Sequence, residues 1–299
     1  MSIIIINYKT RDLTLQCIQS IYDYTKNVSF EIILVDNASE DDTIEKVNEK
    51  FPEVITIANT ENIGFGRANN QGIRIAKGEF VFLLNSDAYL MNNAISDFVN
   101  FLRLEINQSV AICGGDLFYD NTCKQRMASF GNLPTLKEEV FILSGLFKLF
   151  KNYFRKHISA AIINYDNKIK DVGFIIGADM FIRKAVLEKI GLFDEDFFMY
   201  FEETELSFRA KAAGYKSVII PSIKLCHLDG GSSKKNNDLF NYKKFTYFEK
   251  SKTLYFKKCY GHLSSTISKI LSSLLVIELS ILAKKQGSPL KKIGIIIKA

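Results

Sequence analysis

The chain has 299 residues, of which 47% are hydrophobic and 24% are charged. These values are ordinary for a soluble protein with one large α/β domain and appendages, or with two domains, and they exclude a low-complexity chain. The five cysteines form no CxxC pair, as expected of reduced thiols in the cytoplasm. The first residues, MSIIIINYKT, lack a basic leader and predict a strand instead of an export signal.

The net charge of +6 is unevenly distributed along the chain. Residues 1–230 hold 25 Lys and Arg against 30 Asp and Glu, whereas residues 231–299 hold 14 Lys against 3 acidic residues. The basic tail predicts an anionic partner, and its interleaved aliphatic and aromatic residues favour a bilayer face over nucleic acid. The apolar run at 270–283 is interrupted by Glu278 and is shorter than the roughly 20 residues of a spanning helix.

The first hundred residues predict alternating strands and helices. Apolar runs at 2–8, 31–39, 53–59 and 79–87 read as buried strands, and the segments between them have helical spacing or a Gly-rich turn followed by a helix. This is the pattern of a parallel, doubly wound sheet, in which ligands bind at the carboxyl ends of the strands. The polar residues expected together at that edge are Asn7, Tyr8, Asp36, Asn37, Asn59 to Asn62, Asn85, Ser86 and Asp87.

The middle of the chain is less regular. FILSGLFKLFKNYFRKHI (141–158) predicts an amphipathic basic helix, with Ser144, Lys148, Lys151 and Arg155 on one stripe and phenylalanines on another. A lid over the sheet and an interfacial role remain equally open for this helix. We therefore expect residues 1–235 to form the main domain with an amphipathic insertion at 135–170, and residues 236–299 to form a basic helical tail.

Two residues at predicted strand ends are candidate metal ligands. Asp87, directly after a buried strand, is a good ligand for Mg²⁺ or Mn²⁺, and its alternative is a turn or helix-capping residue. His227 follows another apolar strand and precedes Gly230-Gly231-Ser232-Ser233; it is either structural or a second ligand for the ion on Asp87. Asp36 is either a turn or helix-capping residue, or a hydrogen-bond acceptor for a base imide or a ribose hydroxyl.

Five segments, taken in order, resemble the bacterial family 2 glycosyltransferases, particularly the rhamnosyltransferase-like branch. They are SIIIINYKTRDLTLQCIQSI, EIILVDNASEDDT, NIGFGRANNQGIRIAKGEFVFLLNSD, GADMFIRKAVLEKIGLFDEDFFMYFEETELSFRAKAAGYK and IPSIKLCHLDGGSS. The resemblance covers about residues 1–235. It implies the GT-A fold, an α/β architecture with a Rossmann-like, doubly wound mixed sheet, here followed by a basic helical appendage. It also implies inverting transfer of a sugar from a nucleotide donor.

The resemblance also implies roles for particular residues. Asp36 corresponds to the aspartate that binds the nucleobase, and the family's DXD motif appears as Asn85-Ser86-Asp87, so that only Asp87 keeps a carboxylate for Mg²⁺ or Mn²⁺. His227 corresponds to the late histidine that completes the metal shell. Asn85 can still hydrogen-bond the ribose, and the other residues implied along the donor are Asn7, Tyr8, Asn37, Asn62, Arg67 and Ser86.

FFMYFEETELSFR (197–209) looks like the family's YFEDVDLxxR segment, which carries the catalytic base. The base position is Glu203, whose aromatic neighbours would raise its pKa while Arg209 or the metal keeps it ionised. Glu202 either lies on the acceptor side or complements the helix dipole, and both interpretations are kept. Glu205 is expected to complement the helix dipole. Asp179 either touches the donor sugar or caps the following helix.

The expected function is addition of one sugar to a bacterial surface glycan intermediate by a peripheral enzyme at the inner face of the plasma membrane. The branch resemblance favours dTDP-rhamnose as donor, followed by UDP-hexoses or UDP-GlcNAc. The alternative is a non-catalytic partner that binds a nucleotide sugar. Nucleic acid is not an expected partner, because no reader motif accompanies the lysines.

Overall fold

A computed structural model describes residues 1–144, 162–228, 241–282 and 288–299. The predicted basic helix at 141–158 falls largely outside these ranges. Only its beginning is described: a helix runs from Leu136 to Leu143, and the side chain of Thr135 caps it by accepting a hydrogen bond from the Glu138 amide. The basic stripe at Lys148, Lys151 and Arg155 lies outside the described residues.

The described strands form a large mixed sheet and a small two-stranded one. The large sheet has the order β3-β2-β1-β4-β10-β6-β11-β5, with β8 paired to β11, and β7 pairs with β9. The strands are β1 (Ser2–Asn7), β2 (Glu31–Asp36), β3 (Ile55–Ala58), β4 (Phe80–Asn85), β5 (Ala88–Leu90), β6 (Val110–Phe118), β7 (Phe130–Gly131), β8 (Lys170–Val172), β9 (Phe174–Ile175), β10 (Asp179–Arg183) and β11 (Lys216–His227).

Helices lie on both faces of the large sheet. In the described part of the chain they are α1 (Arg11–Tyr24), α2 (Thr43–Lys50), α3 (Phe65–Ile75), α4 (Ala94–Arg103), α5 (Leu136–Leu143), α6 (Lys184–Ile190), α7 (Glu202–Ala212), α8 (Tyr242–Tyr260), α9 (His262–Leu282) and α10 (Pro289–Lys298). A short 3₁₀ helix spans Glu105–Asn107.

Two hydrophobic layers follow from the alternation of side chains along each strand. In β1, Ile3 and Ile5 pack with α1 and α4, whereas Ile4 packs with α3, α6 and α7 on the opposite face. All three isoleucines are fully buried, so the strand's apolar residues serve both layers. This explains why the strands of the parallel half read as continuous apolar runs in the sequence.

The carboxyl ends of β1, β2 and β4 meet at one edge, as the sequence predicted. Asn7 pairs with Asp36 in the parallel β1–β2 ladder, and Ile6 pairs with Asn85 in the parallel β1–β4 ladder. β10 runs antiparallel between β4 and β6, so its first residue, Asp179, also lies at this edge. The prediction of a doubly wound mixed sheet is confirmed.

The C-terminal helices pack against the main sheet domain. Tyr255 and Phe256 of α8 are fully buried against Phe197. Ser251 of α8 donates a hydrogen bond of 2.7 Å to the carbonyl of Met199. The domain boundary at 235 lies outside the described residues and stays a prediction. In the described ranges no helix is both long enough and apolar enough to cross a membrane.

Candidate active site

Asp36 ends β2 inside a dense hydrogen-bond network. The amide nitrogen of Asn7 donates to Asp36 Oδ1 over 2.6 Å, and the hydroxyl of Ser39 donates to the same oxygen over 2.5 Å. The backbone N–H of Ser39 donates to Asp36 Oδ2 over 3.0 Å. Oδ1 thus accepts two hydrogen bonds and Oδ2 accepts one, which fixes the carboxylate. Its remaining lone pairs can accept hydrogen bonds from a ligand.

The side chain of Asn7 supports this hydrogen-bond network from the protein interior and does not line a pocket. Its side chain is fully buried, and its Oδ1 accepts hydrogen bonds from the hydroxyls of Thr10 and Thr14 at 2.7 and 2.9 Å. The sequence placed Asn7 along the donor, and the structure corrects this to a supporting position behind Asp36. Sequence reasoning missed Thr10 and Ser39, although a Ser three residues after Asp36 is a recognisable local capping pattern.

Asn37 organises the loop that leads into α3. Its Nδ2 donates to Asn62 Oδ1 over 3.0 Å, and its Oδ1 accepts from the amide of Ile63 and from Asn59 Nδ2, both over 3.1 Å. The side chain is buried, so both ends of its amide are committed to the protein. Asn62 in turn accepts from the Gly64 amide over 3.0 Å. These two asparagines therefore shape the loop beside Asp36.

Tyr8 and Arg67 lie outside this network. Tyr8 is partly exposed, with the Lys9 ammonium 5.4 Å from its ring centroid. Arg67 is exposed, and its Nε donates to the carbonyl of Glu195 over 2.7 Å. Arg67 thus links the first turn of α3 to the loop before α7, and its position along the nucleotide stays a prediction.

The strand pairing of β5 with β11 brings the two candidate metal ligands together. His227 pairs with Ala88 in this antiparallel ladder, so that the preceding residue, Asp87, lies next to the imidazole. The distance from His227 Nε2 to Asp87 Oδ1 is 3.2 Å, and Asn85 Nδ2 lies 3.3 Å from the same ring nitrogen. Ser86 turns away, and its hydroxyl lies 2.8 Å from that of Thr10.

Asp87 and His227 fit a divalent ion that is completed by a substrate. Across the described ranges, no cluster of three or more His, Cys, Asp or Glu side chains could hold a metal by itself. Mg²⁺ is usually held by one or two protein carboxylates with phosphate oxygens and water in the remaining positions, which matches a two-residue site. The ring nitrogen beside Asp87 is Nε2, whereas His227 Nδ1 is buried and has no hydrogen-bond partner within the described part of the chain.

The segment before α7 is held in a strained backbone conformation. Tyr200 and Phe201 have φ angles of 70° and 67°, in the left-handed region that bulky residues rarely adopt. Such residues cost about 1–3 kcal/mol each and persist only where the surroundings fix them. Here the rings of both residues contact Phe248 of α8, with centroids 6.1 and 5.2 Å apart.

This segment packs against the first turn of α3, at the same edge of the sheet. Gly64 has a φ of 91°, and a Cβ there would lie 2.5 Å from the carbonyl oxygen of Phe198. A Cβ on Gly66 would lie 3.6 Å from the Cβ of Glu202. At Gly64 only glycine allows this close approach, which sets the segment before α7 beside the loop that Asn37 organises.

Glu202 and Glu203 lie in surroundings that disfavour their charged forms. Burial raises the pKa of Glu203 to about 7. Burial and the adjacent charge of Glu203 raise the pKa of Glu202 well above its ordinary value. Glu202 is 4% exposed, and its Oε2 has no hydrogen-bond partner in the described ranges. A carboxyl group with a pKa near 7 is suited to exchange a proton at neutral pH.

Glu205 has a different environment, although it is only two residues further along. Arg209 binds it with two hydrogen bonds, of 2.7 and 2.8 Å. The same guanidinium also donates to the carbonyls of Ile190, Gly191 and Leu192 at the end of α6. Arg209 or the metal was predicted to keep Glu203 ionised, and the structure corrects the first alternative: Arg209 pairs with Glu205 and connects α7 to α6.

Asp179 begins β10 and does not cap a helix, which corrects one of its two predicted roles. The side chain is fully buried, and its Oδ2 accepts a hydrogen bond of 2.6 Å from the Gly115 amide. Burial raises its pKa well above the ordinary value, and the charge of Asp116 adds to this shift. Asp116 lies 3.0 Å from Arg126. Sequence reasoning missed both Asp116 and Arg126, because neither stands in a motif.

Solved structures with the same architecture are glycosyltransferases of the GT-A fold. GalNAc-T7 with UDP, GalNAc and Mn²⁺ matches with a TM-score of 0.59 and 14% identity, over 86% of this chain and 47% of that one. The mannosyltransferase PcManGT from Pyrobaculum calidifontis, in complex with GDP-Man and Mn²⁺, matches with a TM-score of 0.57 and 14% identity, over 99% of this chain and 86% of that one. The chain therefore has the GT-A fold.

The sequence model of Glycosyl transferase family 2 matches residues 2–191, and the chain belongs to this family. The predicted family is thus confirmed.

The curated relatives of the chain are named for the transfer of different sugars. The poly(ribitol-phosphate) beta-glucosyltransferase of Bacillus spizizenii is 35% identical over 34% of this chain and 17% of its own length. The UDP-Glc:alpha-D-GlcNAc-diphosphoundecaprenol beta-1,3-glucosyltransferase WfaP of Escherichia coli is 36% identical over 35% and 42%. The N-acetylglucosaminyl-diphospho-decaprenol L-rhamnosyltransferase of Mycobacterium tuberculosis is 24% identical over 66% of each chain. The chain thus spans less than half the length of the first two relatives.

Proposed function

We propose that the protein is an inverting glycosyltransferase that moves a sugar from a nucleotide donor to a hydroxyl of a bacterial surface glycan intermediate. The observation that carries this proposal is the contrast between two carboxyl groups of the site. Asp87 lies 3.2 Å from His227 in a pair suited to a divalent ion, whereas Glu203 has a pKa raised to about 7. One group is suited to bind the diphosphate through an ion, and the other to take a proton.

Each residue has a distinct role in the proposed reaction. Asp36, fixed by Asn7 and Ser39, accepts hydrogen bonds from the nucleoside. Asp87 and His227 would hold Mg²⁺ or Mn²⁺, which neutralises the charge of a leaving diphosphate. Mn²⁺ accompanies the nucleotide in the two structural neighbours, which supports this choice of metal.

Glu203 is the proposed catalytic base. Its carboxylate would take the proton of the acceptor hydroxyl as that oxygen attacks the sugar from the side opposite the diphosphate. A pKa near 7 leaves a substantial ionised fraction at neutral pH and gives the carboxylate more basicity than an exposed glutamate has. The neighbouring Glu202 lies on the acceptor side and, with its pKa raised further, supplies a neutral hydrogen-bonding group.

The donor sugar is proposed from the relatives and the sequence pattern together. We favour dTDP-rhamnose, followed by UDP-hexoses or UDP-GlcNAc, and Asp179 would contact the sugar. The acceptor is proposed to be lipid-linked, at the inner face of the plasma membrane, because two relatives are named for diphosphoundecaprenol or diphospho-decaprenol acceptors. A non-catalytic nucleotide-sugar-binding role is the alternative, and the raised pKa of Glu203 favours the enzyme.

The test is release of nucleoside diphosphate from dTDP-rhamnose, UDP-glucose, UDP-galactose and UDP-GlcNAc, each with Mn²⁺, Mg²⁺ or EDTA. We expect slow, metal-dependent release from one donor and none with EDTA. Calorimetry with the same donors serves as the control for binding. Donor binding without release, even with a lipid-linked GlcNAc-diphosphate acceptor added, would favour the non-catalytic alternative.

A further inference from the structure

The helix α9 buries serine side chains and exposes four large aliphatic residues. Its side chains Ser265, Ser268 and Ser272 are buried against the rest of the protein. Ser265 donates to the Thr253 carbonyl over 3.1 Å, and Ser268 donates to Glu139 over 3.0 Å. A surface helix normally buries its apolar stripe and exposes polar residues. Here the buried side chains between residues 262 and 278 are all serines, next to partly buried aliphatic residues.

Four large aliphatic residues of α9 are exposed. Leu263 is 74% exposed, Ile270 55%, Leu274 45% and Ile277 44%. Their spacings of seven, four and three residues place all four on one stripe of the helix. Single exposed leucines are common on protein surfaces, but a continuous stripe marks a surface that binds an apolar partner. We call these four residues the α9 stripe.

The neighbouring helix α10 also exposes two large aliphatic residues and buries a lysine, beside the fully buried Ile296. Leu290 is 82% exposed and Ile297 is 66% exposed, seven residues apart, whereas Lys292 is buried. Burial lowers the pKa of Lys292, because the protein interior disfavours the charged form of this side chain. Because α9 and α10 pack against each other, both exposed apolar sets belong to one helical layer.

The charge of this layer decides which partner fits. α8, α9 and α10 together carry ten lysines and two glutamates. Among the lysines, Lys291 and Lys298 are exposed on α10. A second copy of the chain would bring two such positive layers together, which is unfavourable, whereas an anionic lipid surface offers both negative headgroups and an apolar interior.

We propose that the α9 stripe and the exposed residues of α10 dock the protein onto an anionic lipid bilayer. The inference rests on the proposed function, since a lipid-linked acceptor would lie in the same membrane. It adds a connection to the active site: Lys258 of α8 contacts Asp194 and Asp196, with distances of 2.5 and 2.6 Å, in the loop before α7. The docking layer therefore contacts the segment that carries Glu203, and it positions that segment relative to the bilayer.

The experiment measures co-flotation of the full chain with vesicles of phosphatidylethanolamine and phosphatidylglycerol, and with pure phosphatidylcholine vesicles. The wild-type chain is expected to float with the first and not with the second. Leu263→Gln with Leu274→Gln should weaken flotation at least about tenfold. Ile106→Gln is the matched control, because Ile106 is 87% exposed in the 3₁₀ helix, and it should leave flotation unchanged.

The charge contribution is tested in the same assay. Lys291→Gln with Lys298→Gln should weaken flotation about fivefold for each lysine, and added salt should reduce this difference. Lys46→Gln on α2 is the control for loss of an exposed positive charge. Wild-type flotation that the leucine pair does not reduce would overturn the proposal. So would light scattering that shows a dimer which the leucine pair dissociates, because a second copy would then cover the stripe.

Donor turnover without vesicles separates this inference from the proposed function. The leucine and lysine variants should release nucleoside diphosphate at the wild-type rate, because these side chains lie outside the site. If the wild-type chain turns over a donor but does not float with anionic vesicles, the proposed docking surface is wrong and the proposed function is retained. If it floats but no donor or acceptor gives turnover, the proposed function is wrong and the proposed docking surface is retained.

Discussion

The sheet edge at Asn7 and Asp36 and the first turn of α7 differ in how their buried polar groups are hydrogen-bonded. At the sheet edge, Asn7 is fully buried and both ends of its amide are hydrogen-bonded. At the start of α7, Glu202 is almost as buried but has an oxygen without a partner, and the preceding Phe201 has a strained φ of 67°. The difference indicates that one region is built to hold a fixed shape and the other to hold carboxyl groups away from water.

Within α7 the same contrast recurs between two glutamates. Glu205 is bound by Arg209 through two hydrogen bonds, whereas burial raises the pKa of Glu203 to about 7. A paired carboxylate contributes to stability, and a desolvated one is available for proton transfer. Substitutions at these two positions should therefore change different properties of the protein.

The largest effect is expected for Glu203→Gln. Glutamine keeps the size of the side chain but cannot accept a proton, so kcat should fall about 10²- to 10⁴-fold. Donor binding, measured by calorimetry, should stay within about threefold of the wild type, since nothing that binds the nucleoside changes. Turnover within about threefold of the wild type would show that another group is the base.

A smaller effect, now on stability and donor binding, is expected for Asn7→Ala. Removing the amide takes one buried hydrogen-bond partner from each of Asp36, Thr10 and Thr14, which should cost about 2–3 kcal/mol in the free energy of unfolding. Urea unfolding checks this value, and calorimetry should show weaker binding of the nucleoside diphosphate. Ser20→Ala, on α1, is a control for loss of a buried hydrogen bond away from Asp36. Equal donor binding by Asn7→Ala and wild type would contradict the supporting role.

Glu205→Gln should destabilise the protein without removing its chemistry. The substitution weakens a charge-assisted pair with Arg209 and should cost about 1.5–3 kcal/mol in the free energy of unfolding. In the folded fraction, kcat should fall less than about tenfold, because Glu205 is assigned no proton transfer. A loss of turnover as large as that of Glu203→Gln would remove the distinction between the two glutamates.

A further effect is the pH dependence of stability. The pKa of Glu203 is about 7 in the folded state and about 4.3 in the unfolded chain, so the folded state binds the proton more tightly. This contribution is fully present below about pH 4.3 and is lost as the pH rises through about 7. Glu203→Gln should therefore gain stability relative to the wild type between pH 5 and pH 8 in urea unfolding. A difference that does not change with pH would contradict the raised pKa.

Much of the fold was predictable because its signals are local. The apolar run of β1 and the polar residues that follow it predicted the strand and the shared edge, and the register of Asn7 with Asp36 confirms that edge. The proximity of Asp87 and His227 was also anticipated, on the basis of the family resemblance. The distance of 3.2 Å between them depends on the β5–β11 ladder, which no local pattern specifies.

The rest depends on contacts between distant parts of the chain. The buried, supporting position of Asn7 follows from the threonines of α1 and the serine after β2, so residue type alone did not distinguish it from a ligand contact. The pairing of Arg209 with Glu205 follows from helical spacing and could have been predicted. Asp116 and Asp179 meet only because β10 is inserted antiparallel beside β6, a crossover that the apolar pattern does not encode.

The central claim is that Glu203 is the base, and the pH profile of turnover by the wild-type chain tests it most directly. With saturating donor and metal, kcat should rise about tenfold per pH unit below pH 7 and level off above it, and Glu203→Gln should lack this inflection. A flat profile between pH 5.5 and 8.5, or an inflection near 7 that persists in Glu203→Gln, would contradict the assignment.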